Sequence, residues 1–212
     1  MNPNETRTVN LMKRLINGKY LVLLSSLSVL IVTSLLVLEP TELVFGLRSG
    51  IRFTAQYSLV LFSIGFIATS LQLFPKNQLT IWIRKNRRYL GLSFAMSHLV
   101  HGLVIFALYL GYPDLFQQVV SPLSKIFGGI GFFVIFVLAM TSSDYAIKKI
   151  GFHRWKSIHR IGVYYIWFMF LASYLPRALS FPIYWLVVLF LVSCLGLRLI
   201  YSRTRLELKS NI

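Results

Sequence analysis

The feature that most constrains this chain is a series of six apolar segments, each free of Lys, Arg, Asp and Glu. A helix rises about 1.5 Å per residue, so roughly 20 apolar residues are needed to cross the hydrocarbon core of a bilayer. The six segments are residues 20–38, 56–74, 89–111, 126–142, 161–176 and 178–197. The pattern predicts an all-α integral membrane protein built as a bundle of six transmembrane helices.

The composition agrees with a membrane environment. Of the 212 residues, 56% are hydrophobic and only 13% are charged, which is more apolar surface than a water-soluble core can bury. A net charge of +16 would suit nucleic acid if the cations shared one solvated face, but here they separate the apolar segments. We therefore predict membrane lipid, and not nucleic acid, as a partner. Cys194 is the only cysteine, so no disulfide framework or cysteine metal cluster is predicted.

The distribution of Lys and Arg over alternate loops predicts the orientation. One set of loops carries eighteen of the 22 cations, and the other set carries only Arg48, Arg52, Lys125 and Arg177. The larger set is Arg7, Lys13, Arg14, Lys19, Lys76, Arg84, Lys85, Arg87, Arg88, Lys148, Lys149, Arg154, Lys156, Arg160, Arg198, Arg203, Arg205 and Lys209. The positive-inside rule then predicts that both termini are cytoplasmic. The predicted domains are a cytoplasmic segment at 1–19, a transmembrane domain at 20–201 and a cytoplasmic tail at 202–212.

Two histidines lie within the third apolar segment, where ionisable side chains are costly and often functional. His98 and His101 are three residues apart and share one helical face with Gly91, Ala95 and Gly102. The small side chains leave space for a large planar ligand beside the histidines. Alternatively, they let neighbouring helices pack closely while the histidines make hydrogen bonds between helices.

His159 lies at the start of the fifth segment. It is either a ligand near the membrane edge or an ordinary interfacial histidine. His153 is predicted to be solvated. The carboxylates all lie outside the segments, which argues against a proton relay. The sequence contains no His-Glu-x-x-His zinc pattern and no inverted repeat typical of a transporter. Of the kinds of site considered, the one that remains is a cofactor ligated by histidines within the membrane, and heme is the usual cofactor of such a site.

Several stretches carry a resemblance to a known family. They are Arg87-Arg88-Tyr89-Leu90-Gly91-Leu92 with His101, Leu138-Ala139-Met140-Thr141-Ser142, Gly151 with Trp155, and Ile158-His159-Arg160 with Tyr164. Over about 56–197 the chain resembles the ferric reductase-like transmembrane family, and within it the heme-binding subunit of bacterial periplasmic methionine sulfoxide reductase systems.

The resemblance implies a bundle in the bacterial inner membrane with b-type heme held by histidines of the third and fifth spans. His101 matches the third-span ligand and His159 matches the first histidine of the fifth span. The family passes electrons from a cytoplasmic flavin reductase or a quinone, through heme, to an acceptor on the outer face. This chain has no flavin or nucleotide domain, so the resemblance implies at most the electron-transfer subunit of an oxidoreductase system.

One departure from the family pattern concerns the second histidine of the fifth span. That position, about thirteen residues after His159, is Ala172 here. His98, Met169 or Tyr174 could complete the coordination of the iron, or the iron could be five-coordinate. The alternative is a heme-free membrane partner or assembly subunit on the same scaffold.

Depth in the membrane also separates the two matched histidines. His101 lies 13 residues beyond Arg88, about 20 Å along the helix, whereas His159 is predicted at the cytoplasmic rim. Two axial ligands of one iron must meet at nearly one point. Ligation by His98, about one helical turn nearer the cytoplasm, is therefore an alternative to ligation by His101.

Overall fold

The computed structural model describes residues 16–38 and 42–210, together with the side chains up to residue 207. The described residues contain no strand, which confirms the prediction of an all-α chain. The helices are α1 (Lys19–Leu38), α2 (Leu43–Ile67), α3 (Gln78–Gly111), α4 (Pro113–Val119), α5 (Pro122–Met140), α6 (Asp144–Ile150), α7 (Phe152–Ser180) and α8 (Trp185–Ser210). Short 3₁₀ turns lie at Ser70–Leu73 and Pro182–Tyr184.

Five described stretches are long and apolar enough to cross a membrane. They are Lys19–Leu38, Leu43–Ile67, Gln78–Gly111, Pro122–Met140 and Pro182–Glu207. The predicted fifth span, 161–176, lies inside α7, which is not among these five. The count of six spans stays a prediction, as does the orientation. Arg7, Lys13 and Arg14, on which part of that orientation rests, lie outside the described residues.

The predicted start of the second span is wrong. The prediction placed it at residue 56 because Arg48 and Arg52 were assigned to a loop, but α2 already begins at Leu43. Both arginines lie within this helix and are exposed. A long arginine side chain on an exposed helix face can keep its charged end in water while its stem covers apolar surface, so a cation does not end a helix.

The predicted start of the last span is also wrong. Residues 178–180 belong to α7, which continues past Pro176, and α8 begins only at Trp185. The break falls at Phe181, whose backbone is extended (φ −135°, ψ 105°) and which precedes Pro182. A residue before proline is driven out of the helical conformation, whereas Pro176 removes only one hydrogen bond from α7.

The described residues divide into two compact units. The first comprises the chain up to Leu61 and Arg88–Ile126. Its apolar core consists of Val29, Leu47, Val100, Val104, Leu108 and Phe116. Gly46 lets α2 approach α1 closely, since a Cβ there would lie 2.6 Å from the carbonyl oxygen of Val37. Small residues of this kind are typical of helix contacts in membranes.

The second unit comprises Phe62–Arg87 and the chain from Phe127 onward. One face of α7 is buried at every fourth residue, which is the spacing of a single helical stripe. The buried residues of this stripe are Gly162, Ile166, Phe170, Tyr174 and Ala178. At its start, Gly162 lies against Leu138 of α5, where an added Cβ would be 2.9 Å from a leucine methyl carbon.

Candidate functional site

A polar seam joins α2 and α3 inside the first unit. Thr54 and Ser58 are four residues apart on α2, and Ser97 and His101 are four residues apart on α3. The Ser58 and Ser97 hydroxyls are 2.6 Å apart, and Thr54 Oγ1 lies 2.9 Å from His101 Nδ1. The small hydroxyl side chains let the two helices approach closely. They also form hydrogen bonds with each other and with His101, which the surrounding apolar side chains could not do. The seam fixes the position of the His101 ring.

The hydrogen bonds of Thr54 determine which nitrogen of His101 carries the proton. The Thr54 hydroxyl donates to the carbonyl oxygen of Gly50 at 2.7 Å, and this uses its single hydrogen. When the hydroxyl hydrogen is used in this way, the hydroxyl oxygen accepts from His101 Nδ1–H. In a neutral ring, Nε2 then carries the lone pair. This is the arrangement in which a histidine serves as a metal ligand oriented by a second group.

His98 lies beside His101 on the same face of α3. The two ring centroids are 5.0 Å apart, and the His98 ring also contacts Phe94 at 5.5 Å. Both histidines are half-buried. Because the two imidazoles lie side by side on one helix face, they are alternative candidates for holding one metal. The hydrogen bond with Thr54 orients the His101 ring.

A second threonine–histidine pair lies in the other unit. Thr141, directly after α5, donates its hydroxyl hydrogen to the carbonyl oxygen of Val137 at 2.7 Å and lies 2.9 Å from His159 Nε2. By the same reasoning, His159 Nε2 is protonated and donates to Thr141, which leaves the lone pair on Nδ1. The two histidines thus have the same kind of partner but present opposite ring nitrogens.

The surroundings of His159 come from a short helix and a sharp turn. Ser143 caps α6 by accepting a hydrogen bond from the Ala146 amide at 3.0 Å. Gly151 then joins α6 to α7 at φ +87°, a conformation that other residues rarely adopt. The turn brings Trp155 back to the end of α5, where its indole N–H donates to the Thr141 carbonyl at 3.0 Å. The Trp155 and His159 ring centroids are 4.7 Å apart.

The charge state of His159 follows from its position. The residue is half-buried and precedes the apolar run that begins at Ile161. Burial, followed by the positive charge of Arg87, lowers the pKa of His159, and a hydrogen bond with the Thr141 backbone partly opposes this shift. A histidine with a lowered pKa is neutral at physiological pH. Only the neutral ring retains the lone pair that a metal requires.

The other predicted ligands are well separated from His159 along α7. Met169 is half-buried ten residues further on, about 15 Å along the helix. Tyr174 is buried about 22 Å from His159 along the helix and packs against Tyr184 and Arg177. Neither can share a ligation point with His159. Ala172 is exposed on this helix, and His153 is exposed and contacts the Phe152 ring.

Comparison with known families adds an independent observation. The sequence model of the ferric reductase like transmembrane component matches residues 49–172, more than half of the chain. The chain belongs to the ferric reductase-like transmembrane family. The match includes all three candidate histidines and both of their threonine partners. No solved structure matches the chain.

Membership of the family makes this a multi-pass membrane protein, and it indicates a role in membrane electron transfer. Ferric reductase-like proteins generally bind heme. The donor set of this ferric reductase-like chain fits a heme iron, because imidazoles with one nitrogen held by a hydroxyl are suitable iron ligands.

Sequence reasoning missed the two threonines. Thr54 and Ser58 form a polar pair four residues apart in an apolar helix, which indicates a helix contact but does not identify the partner. Thr141 lies in one of the stretches that resemble the family, yet its sequence neighbourhood gives no sign that it contacts His159. Both contacts depend on which helices face each other.

Proposed function

We propose that this chain is a membrane-embedded b-type heme protein that passes single electrons from a cytoplasmic flavin reductase or a quinone to an acceptor on the outer face. The observation that carries the proposal is the Thr54–His101 pair, which orients an imidazole inside an apolar helix of a family that generally binds heme. Bound heme would cycle between ferric and ferrous iron and so carry one electron at a time.

His101 is the proposed axial ligand in the first unit. His98 is the alternative on the same helix face, and His159 is the ligand-bearing position proposed for the second unit. Thr54 and Thr141 act as positioning residues, because each hydroxyl lies 2.9 Å from one imidazole nitrogen and so orients that ring. Apolar residues of α3 would exclude water from the His101 ring.

The topology proposed with this function has six spans, the fifth lying in α7, with both termini cytoplasmic and the chain in a bacterial inner membrane. The uneven distribution of Lys and Arg supports it. Reporter fusions test it: an enzyme active only outside the cytoplasm should be inactive when fused after residue 212 and active when fused after Phe181. The opposite pattern would overturn the orientation.

Anaerobic reduction of the purified protein in liposomes tests electron transfer. A reduced quinone, or a flavin reductase with its nicotinamide substrate, should reduce the bound heme, and an impermeant acceptor on the other side of the membrane should reoxidise it. The His101→Ala variant should be inactive, whereas His153→Ala, which changes an exposed histidine, should behave as the parent protein does. A heme that no quinol or flavin reductase reduces would contradict the proposal.

A second candidate function is a heme-free partner or assembly subunit of a redox complex. The observation that favours it is Ala172, where the family pattern usually has a further histidine. Under this reading, the His101→Ala variant would assemble with its partners as the parent protein does and the absorbance spectrum would be featureless. A heme spectrum that depends on His101 would exclude it.

The partner could be a periplasmic oxidoreductase of the methionine sulfoxide reductase type, as the resemblance of the sequence suggests. Co-purification with such an enzyme, encoded beside this chain, would support that narrower assignment.

A further inference from the structure

A basic cavity lies in the second unit, where the chain passes from α2 to α3. Its volume is about 560 Å³. Its lining includes four cationic side chains and two neutral hydrogen-bonding side chains, namely Lys76, Arg84, Lys85, Arg87, Thr69 and Gln72. Among the residues that the structure describes, no carboxylate lines it. Four like charges around one cavity repel each other, and an anion inside it would relieve that repulsion.

The cavity is expected at a membrane surface. It is lined by the connection between Leu43–Ile67 and Gln78–Gly111 and by the N-terminal part of the second of these helices, and both helices are long and apolar enough to span a bilayer. Large apolar side chains that neighbour the lining residues in the sequence are exposed, including Phe74 at 51% and Leu79 at 62%. A cationic cavity next to exposed apolar side chains suits a ligand with an anionic head and an apolar tail. A free anion would use only the cationic part.

Both ends of the connection are held in place. At the start of α3, the Thr80 amide donates to Asn77 Oδ1 at 2.8 Å, and the Asn77 amide donates back to the Thr80 hydroxyl at 3.1 Å. At the end of α2, Arg198 donates to the Phe66 carbonyl at 2.7 Å and stacks over the Phe66 ring at 4.4 Å. These contacts hold the backbone at both ends of the connection in place.

We propose that this cavity binds the phosphate of an anionic phospholipid, with the acyl chains lying along the exposed apolar side chains beside it. Lys76, Arg84, Lys85 and Arg87 belong to the set of cations that is predicted to face the cytoplasm, and the cytoplasmic leaflet carries anionic lipid. The lipid would hold the connection against the membrane surface. The proposal does not depend on heme.

Native mass spectrometry of the full-length protein in detergent tests the lipid site. Phosphatidylglycerol and phosphatidylcholine with identical acyl chains are titrated separately, and the first bound lipid is quantified. Phosphatidylglycerol should bind at least about tenfold more tightly. The triple variant Lys76→Gln, Arg84→Gln, Lys85→Gln should lose most of this preference, since each cation near an anionic lipid contributes about fivefold in affinity.

A matched control removes three cations from the other basic segment, in Lys148→Gln, Lys149→Gln, Arg154→Gln, and should keep the preference. All six side chains are exposed, so the thermal midpoints without added lipid should match that of the parent protein. If the first triple variant does not fold, Lys85→Gln alone should lose about fivefold. Equal losses in the test and control variants would overturn the proposal, as would no loss in either.

Competition separates lipid from other phosphate sources. Glycerol phosphate, inorganic phosphate and flavin mononucleotide are added at the concentration that half-saturates phosphatidylglycerol binding. None of them should displace the lipid, because none has acyl chains. Displacement by any of them would assign the cavity to a soluble phosphate compound and overturn the lipid assignment. Heme absorbance, recorded on the same samples, should be the same in every variant, so a failure here is distinct from a failure of the heme proposal.

Discussion

Replacing Thr54 with valine isolates the hydrogen bond that orients His101. The two side chains have similar volumes, so the substitution removes the hydroxyl and little else at a fully buried position. The hydroxyl oxygen that accepts from His101 Nδ1–H at 2.9 Å is lost. Without it, the ring can rotate or take the other tautomer, in which Nε2 carries the proton and cannot bind iron. We expect Thr54→Val to weaken heme binding.

The size of the effect follows from the geometry. Removing the group that orients a metal-bound histidine typically reduces affinity by about 10- to 100-fold, or roughly 1.4–2.7 kcal/mol. Leaving a buried donor unsatisfied costs a similar amount, about 1–3 kcal/mol. A hydroxyl that accepts from the imidazole also makes it a stronger ligand for ferric iron. Its loss should therefore raise the midpoint potential of any heme that still binds.

Heme titration of the apo-protein, followed by Soret absorbance, measures the affinity, and a redox titration measures the potential. Thr54→Ser keeps a hydroxyl and should restore most of the affinity. Ser58→Ala removes the neighbouring buried hydroxyl, which pairs with Ser97 and not with a histidine, and serves as the matched control. Parental affinity and potential in Thr54→Val, or an equal loss in Ser58→Ala, would refute the assignment of Thr54 as a positioning residue.

Three further substitutions test other parts of the structure. Arg87→Gln should raise the pKa of His159, because the nearby positive charge disfavours the protonated ring; NMR titration of labelled histidine measures it, and a pKa that falls would contradict the electrostatics. Gly151→Ala should destabilise the protein by about 1–3 kcal/mol, since φ is +87° there, and should lower the thermal midpoint in detergent. Gly46→Ala should cost about 1–3 kcal/mol, because its Cβ would lie 2.6 Å from a carbonyl oxygen of the preceding helix. Gly129→Ala, with open space around the added Cβ, is the control for both, and a midpoint as low as theirs would contradict the packing argument.

Much of the helical architecture could be predicted from the apolar segments alone, because a chain that crosses the hydrocarbon core of a bilayer needs a long helix without charged residues. Helix ends were harder to predict. The start of α2 was missed because Arg48 and Arg52 look like loop residues, although exposed arginines can belong to a helix. The boundary between α7 and α8 was placed too early because Arg177 was taken to separate two spans, whereas the chain breaks at Phe181.

The candidate site was predictable only in part. Histidines are rare inside apolar helices, so His98 and His101 can be picked out from the sequence, and the family match covers them both. Thr54 and Thr141 could not be identified in this way, because the sequence does not show which side chain of a neighbouring helix each hydroxyl contacts. The tautomers of His101 and His159 follow from those contacts and from the hydrogen bonds that each threonine makes to its own helix.

The most direct test of heme ligation by His101 is a reduced-minus-oxidised absorbance spectrum, recorded with the heme-to-protein ratio, on protein expressed with ample heme. The parent protein and His153→Ala should give a b-type spectrum with a Soret band. His101→Ala should lose it, while the spectra of His98→Ala and His159→Ala report whether either residue also ligates iron. A parent protein without a Soret band, or an unchanged spectrum and heme ratio in His101→Ala, would contradict the account.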